Sequence, residues 1–573
     1  MKMDKLALAG AGVVIALASL TVRTAANSDN EGGKRIRHVL LLSIDGMHAV
    51  DFYNCVHGVA GANSGDPYCP NLAELGRTAI NYVNTTSSKP SDSFPGLAAL
   101  VTGGSPKTTG LYYDVAYDRS LDPPALTTGT GLAGAPNLCT PYAPPTGTTT
   151  DNDQGIDIDD TMLNGGAPGA PPTEGGVASI DPRKLVRDPA AGCAPVYPWN
   201  FLRTNTIFGV VHAAGGYTAW IDKHPSYSMA AGPGGTGLDD YYSPEVDSTV
   251  IPLPGVTTAE GVSCATIRDQ VASLSSWTNS FDNIQCYDAL RVKALLNEIA
   301  GKTHNGAPAR TPAVFGMNFQ SVYFGQSLNE PNVAVGGYQN AAAVPSAELL
   351  KEIKFVDASI GQIVHALKDA GEYDDTLIII SAKHGESPID TVQYVADGTN
   401  TPATLLGSAI PYSESPLNPT GIGATEDDVS VLWLNPGGSV TSAVELLNQN
   451  AAAIGLGEIY YGPTLALNYN VGGLGKGEDP RSPDIIVTPN VGVTYSGSTS
   501  MVGDHGGFAH DDTNVVLLVA HPGFAAQTVS AGTTTTQVAP TIVKALGLDP
   551  RALDAVRAEG TAVLPEVEAQ LEK

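Results

Sequence analysis

The chain is short of positive charge. Its 573 residues hold 30 lysines and arginines against 58 acidic residues, a formal net charge of −28. A field of that sign repels phosphate backbones, which argues against nucleic-acid binding by charge. An anionic substrate would need positive charge supplied locally, by a metal or a few placed cations. Charged residues make up only 15% and hydrophobic ones 42%, which disfavours a coiled coil or a mostly disordered chain. No internal repeat is visible. Beyond residue 22 no apolar run approaches membrane-spanning length, so no stable span is expected in a mature chain. The six cysteines include no C-x-x-C pair and no zinc-ribbon spacing.

What is present fits an exported globular protein. Residues 1–5 are basic, 6–22 are apolar, and Thr24-Ala25-Ala26 offers small residues for cleavage before Asn27. That order is the signal-peptide pattern, with a retained N-terminal anchor as the alternative. An oxidising compartment suits disulfides. By neighbourhood the expected pairs are Cys55–Cys69, Cys139–Cys193 and Cys264–Cys286. Length alone suggests about four units, or one large domain with insertions.

Residues 38–46 form an apolar run ending in Asp45-Gly46, the pattern of a buried parallel strand whose carboxylate emerges at its C-terminal end. Strands are expected again at 217–221, 313–318, 376–381, 484–487 and 515–520, and helices at 205–214, 346–370 and 538–546. In the helix 346–370, Leu349, Ile353, Val356, Ile360, Ile363 and Leu367 share a face. This alternation predicts an α/β fold, a largely parallel sheet with helices on both faces. Two stretches break it: a Gly/Pro-rich excursion at 123–198, and 390–479, which carries its own strand (429–434) and helix (440–453) and reads as an inserted lid or subdomain. The division expected is therefore a signal peptide at 1–26, core segments at 34–122, 199–389 and 480–573, and two insertions between them.

Ligands gather at the carboxyl edge of such sheets. Ser93, in Ser91-Asp92-Ser93-Phe94-Pro95-Gly96, sits at or just before a helix start, where an anion is favoured. A hydroxyl there can attack phosphorus, or it can simply cap the helix. Lys383-His384-Gly385 follows the strand 376–381, and Asp504-His505-Gly506-Gly507 precedes the strand 515–520. Two His-Gly loops and Asp45 converging on one edge would be ordinary zinc ligands.

The order Ile44-Asp45-Gly46, then Ser93-Phe94-Pro95-Gly96, then the strand 376–381 before His384-Gly385, then His505-Gly506, resembles the type I phosphodiesterase/nucleotide pyrophosphatase family of the alkaline phosphatase superfamily. The resemblance runs from about His38 to Leu548 outside the two insertions. It implies an exported, metal-dependent phosphodiesterase or pyrophosphatase with a two-zinc site and a covalent phospho-enzyme. Asp45, Ser93, His384 and His505 fall at metal-ligand positions, Ser93 being also the nucleophile.

Three departures stand out. The family's Asp before the His-Gly is Lys383, and the middle metal motif gives way to amides in a stretch containing Asn318 and Gln320. The phosphate-contacting Asn falls at Asp114. On one reading Lys383 supplies a metal's positive charge and one ion remains, held by Asp45, His384 and Asp114. On the other the site binds without turning over. Asp114, His224 (in Asp222-Lys223-His224) and Asn318 are candidate substrate contacts.

A phosphomonoesterase on the same scaffold and a secreted binding protein are the rival functions. A sulfatase is disfavoured because its modification motif asks for Arg where Leu97 stands. The acidic run 151–160 fails the calcium-loop pattern. Oligomeric state and substrate identity leave no mark in the sequence.

Overall fold

A computed structural model of the protein describes residues 36–572 apart from 126–138, 153–162, 164–176, 250–252, 254, 265–275, 331, 391, 393–399, 410–424, 436 and 497–500. The expected signal peptide, and all but the first two residues of the acidic run, lie outside the described residues.

The core is an eight-stranded sheet. In chain order its strands are β1 (His38–Ile44), β2 (Ala79–Tyr82), β3 (Ala219–Ile221), β4 (Asp240–Tyr242), β5 (Val314–Phe319), β6 (Thr376–Ser381), β7 (Leu518–Ala520) and β8 (Gln527–Val529). Their spatial order is β8-β2-β7-β6-β1-β5-β3-β4. β1 lies at the centre, parallel to both β5 and β6. β3 continues the parallel run beside β5, and β4 beside β3. Only β7 runs against its neighbours β6 and β2.

Period-two alternation sends side chains to both faces of the sheet, and both faces are covered. Leu40, Leu42 and Ile44 of β1 join one core, roofed by the helices Phe281–Ile299 and Ala347–Ala370. Val39 and Leu41 join the other, with Leu97, Leu100 and Val101 of α1 (Ser93–Thr102) and Ile542 of the helix Val538–Ala545. The helix expected at 346–370 begins one residue later because Ser346 caps it, its side chain accepting from the Leu349 N–H.

The strand expected at 484–487 is a correction. It forms as Ile485–Pro489 but pairs antiparallel with Ser430–Leu432 and Leu456–Tyr461, outside the main sheet. One face of this smaller sheet packs under the helices Pro402–Ala409 and Val440–Gln449. Its other face, through Val431, Trp433 and Ile486, lies on Tyr112 and Tyr113 just beyond α1. The three expected disulfides are all present, and no described cysteine is free. Among the described residues no helix is long and apolar enough to cross a membrane.

Candidate active site

Four strand ends and one helix start meet at a single point, the carboxyl edge of the parallel strands. Asp45 follows β1, Asp222 and Lys223 follow β3, Gln320 follows β5, and Lys383 and His384 follow β6. Backbone hydrogen bonds tie these loops together. The Gly46 N–H donates to the His384 carbonyl, and the Gly506 N–H to that of Ser91. Ser387–Pro388 pairs antiparallel with Gly503–Asp504, which brings the second His-Gly loop against the first. Gly96 lets α1 approach closely, since a Cβ there would lie 2.3 Å from the Lys383 carbonyl oxygen.

Ser93 is the first residue of α1, and Asp92 is its N-cap. One Asp92 carboxylate oxygen accepts from the N–H groups of Phe94 and Asp114, each at 3.0 Å. The anion expected at this helix start is therefore the protein's own carboxylate, and charge for a substrate must come from elsewhere. Lys223 supplies it. Lys223 Nζ donates to Ser93 Oγ at 3.2 Å. Lys383 Nζ lies 3.3 Å from both Asp45 Oδ2 and Asp222 Oδ1, fully buried, and 4.3 Å from the centre of the Tyr227 ring. Burial alone would raise the Asp45 carboxyl, but Lys383 and His384 outweigh it and hold the group below the ordinary carboxylate range.

The His384 and His505 rings lie 3.9 Å apart, with the Tyr323 ring set edge-on to each. Burial and the neighbouring His505 push His384 down to about 4, so its imidazole is neutral at neutral pH. Glu386 is buried beside them, and its N–H donates to Nε2 of His48. Burial, with Asp504 and Asp512 nearby, pushes its carboxyl well above the ordinary range.

The other predicted residues fall around this centre. Asp114, half-buried, is joined to Asp92 through its backbone N–H. Asn318 is fully buried, and its Oδ1 accepts from Gln320 and Arg291. His224 is buried one residue past Lys223, its Nδ1 2.7 Å from Glu245. Of the Asp222-Lys223-His224 triplet it is Lys223 that contacts Ser93. In the sequence the triplet's charges point to the cleft with His224 as the candidate contact, whereas a cation just after an edge-directed strand, Lys223, is the one that reaches the nucleophile. Glu386, two residues beyond a predicted ligand, is not among the residues the sequence singles out.

Two ions of the kind the resemblance implies do not fit these donors. Asp45 Oδ2 accepts from the Gln320 amide at 2.6 Å and faces the Lys383 ammonium. That oxygen is taken, and a cation beside it would meet another cation. Among the described residues, one group that does fit an ion is His384, Glu386 and His505, which each bring a ligand atom within 4.8 Å of the others; His384 Nε2 is also 3.6 Å from Asp45 Oδ2.

The comparisons with known proteins give the family and the fold. The sequence model of the type I phosphodiesterase/nucleotide pyrophosphatase family matches residues 39–204 and 323–508. No curated protein matches the chain in sequence. Among solved structures, murine ectonucleotide pyrophosphatase/phosphodiesterase 5 is similar in fold, with a TM-score of 0.50 at 13% identity over 90% of this chain and 96% of that one. Its inactive form in complex with AMP gives the same values. Because the family match spans more than half of its length, the chain belongs to the type I phosphodiesterase/nucleotide pyrophosphatase family, a family of phosphoric ester hydrolases.

Proposed function

We propose that the protein is an exported hydrolase of phosphodiester or pyrophosphate bonds that works through Ser93 as a covalent nucleophile. The observation that carries this reading is the 3.2 Å contact between Lys223 Nζ and Ser93 Oγ at the first residue of α1. Ser93 Oγ attacks phosphorus, the bond to the leaving oxygen breaks, and water then cleaves the phosphoseryl intermediate. The hydroxyl proton passes to water and water protonates the leaving oxygen, while the Lys223 ammonium, which donates to Ser93 Oγ, stabilises the charge developing there. Lys383, clasped by Asp45 and Asp222, fixes the sheet edge against the nucleophile's helix, where Gly96 packs on its carbonyl. A divalent ion at the two histidines would add positive charge toward the phosphoryl oxygens. The signal-like first 26 residues and three disulfides support export.

The test is hydrolysis of bis(p-nitrophenyl) phosphate beside p-nitrophenyl phosphate by wild type and Ser93→Ala. The reading expects turnover of the diester, lost in the variant. Preference for the monoester would make the enzyme a phosphomonoesterase. Equal turnover in both proteins would displace Ser93 from its role. No turnover of either ester would leave a binding protein on this scaffold.

A further inference from the structure

We propose that this chain holds a single divalent transition-metal ion, zinc by the chemistry of its donors, on His384, Glu386 and His505, with Asp45 given over to Lys383. The role of that ion in turnover rests on the hydrolase reading above; its binding does not.

Several independent features point to the site. The Glu386 side chain is 1% exposed, yet neither of its carboxylate oxygens has a hydrogen-bond partner. His505 Nδ1, 3.9 Å from Glu386 Oε2, is also without one. Buried polar groups are rarely left so unless something binds them. His384 Nδ1 lies 2.8 Å from the Gly385 carbonyl, which only accepts; that contact places the proton on Nδ1 and leaves the lone pair on Nε2, which lies 3.6 Å from Asp45 Oδ2. Two imidazoles and a carboxylate with room for a further ligand suit zinc.

The charge around the site argues the same way. Asp428, Asp504 and Asp512 are buried beside Glu386. Among the described residues no lysine or arginine forms an ion pair with any of these four carboxylates. Of the two lysines of the site, Lys383 pairs with Asp45 and Asp222, and Lys223 donates to Ser93. A cation at the histidines would meet acidic groups rather than a competing ammonium.

A second group, His224, Glu245 and Asp247, has similar spacing. There His224 Nδ1 is already 2.7 Å from Glu245 Oε1, and that oxygen also accepts from the Asp247 N–H. It is satisfied without an ion.

The test uses the full mature chain, stripped with a chelator and dialysed. Co2+ is titrated by visible absorption and Zn2+ by calorimetry. One ion per chain is expected, with a Co2+ band that differs in Glu386→Gln and His505→Gln. Each variant should bind Zn2+ about tenfold more weakly or worse, with thermal melts recording that it folds. His505→Gln, at the more open position, serves if Glu386→Gln does not fold. No binding by wild type overturns the proposal, as does wild-type affinity in either folded variant. Ser93→Ala should bind the ion as wild type does. An ion bound as described, with no ester hydrolysed, would keep the site and sink the hydrolase reading. Hydrolysis by chain that binds no ion would do the reverse.

Discussion

The ammonium of Lys383 is clasped between Asp45 and Asp222, 3.3 Å from a carboxylate oxygen of each, and all three side chains are fully buried. In this chain a lysine at the sheet edge carries positive charge where the family resemblance places a carboxylate ligand. Removing one partner of a buried ion pair strands the others, at about 3–5 kcal/mol. Lys383→Met should therefore lower unfolding stability by about that much in urea titrations. An unchanged midpoint would mean that the two carboxylates are not charged in the folded protein.

Lys223 is a different case, because it is only half-buried and reaches Ser93 directly. Lys223→Met should lower kcat by about a hundredfold, the usual worth of one donor aimed at developing charge, with little change in melting temperature. Steady-state kinetics on the diester check it. A rise in KM at constant kcat would make Lys223 a binding residue only.

Asp479 joins the smaller sheet to the region after α1. It pairs with Arg203 and accepts from Tyr112 and Asn470. Burial raises its carboxyl, but Arg203 outweighs this and brings it down to about 2. A depressed carboxyl contributes stability that is complete above its unfolded value near 4 and is lost as pH falls through 2. Asp479→Asn should cost about 1 kcal/mol at pH 7, allowing for solvent screening. The gap from wild type should close between about pH 4 and 2. Thermal melts across that range test the sign, and a gap that widens in acid would contradict it.

The Cys139–Cys193 bridge spans 54 residues. In the chain-entropy view a closed loop of that length is worth about 4 kcal/mol. Replacing both cysteines by serine should lower stability by about that amount, read from denaturant midpoints. A negligible loss would place that segment outside the cooperative core.

The parallel core was legible because each strand is a run of apolar residues with few rivals: HVLLLSI and TLIIIS read as buried strands and form them. Ser93, His384 and His505 were legible because loops at one sheet edge converge whatever their separation along the chain. The strand Ile485–Pro489 was equally visible, but its partner was not. An apolar run states that it is buried, not against what. Lys223 and Glu386 were harder for a related reason. A lone lysine or glutamate on a loop is ordinarily solvated, and only the fold shows that one reaches Ser93 and the other is shut in without a partner.

The most direct test of the account is rapid quenching of the mature enzyme during turnover of bis(p-nitrophenyl) phosphate, followed by peptide mass spectrometry. The account predicts a p-nitrophenylphosphoryl adduct on Ser93 that appears before steady state and is absent from Ser93→Ala, which should turn over about a thousandfold more slowly or worse. Full turnover with Ser93 unmodified, or an adduct on another residue, would contradict it.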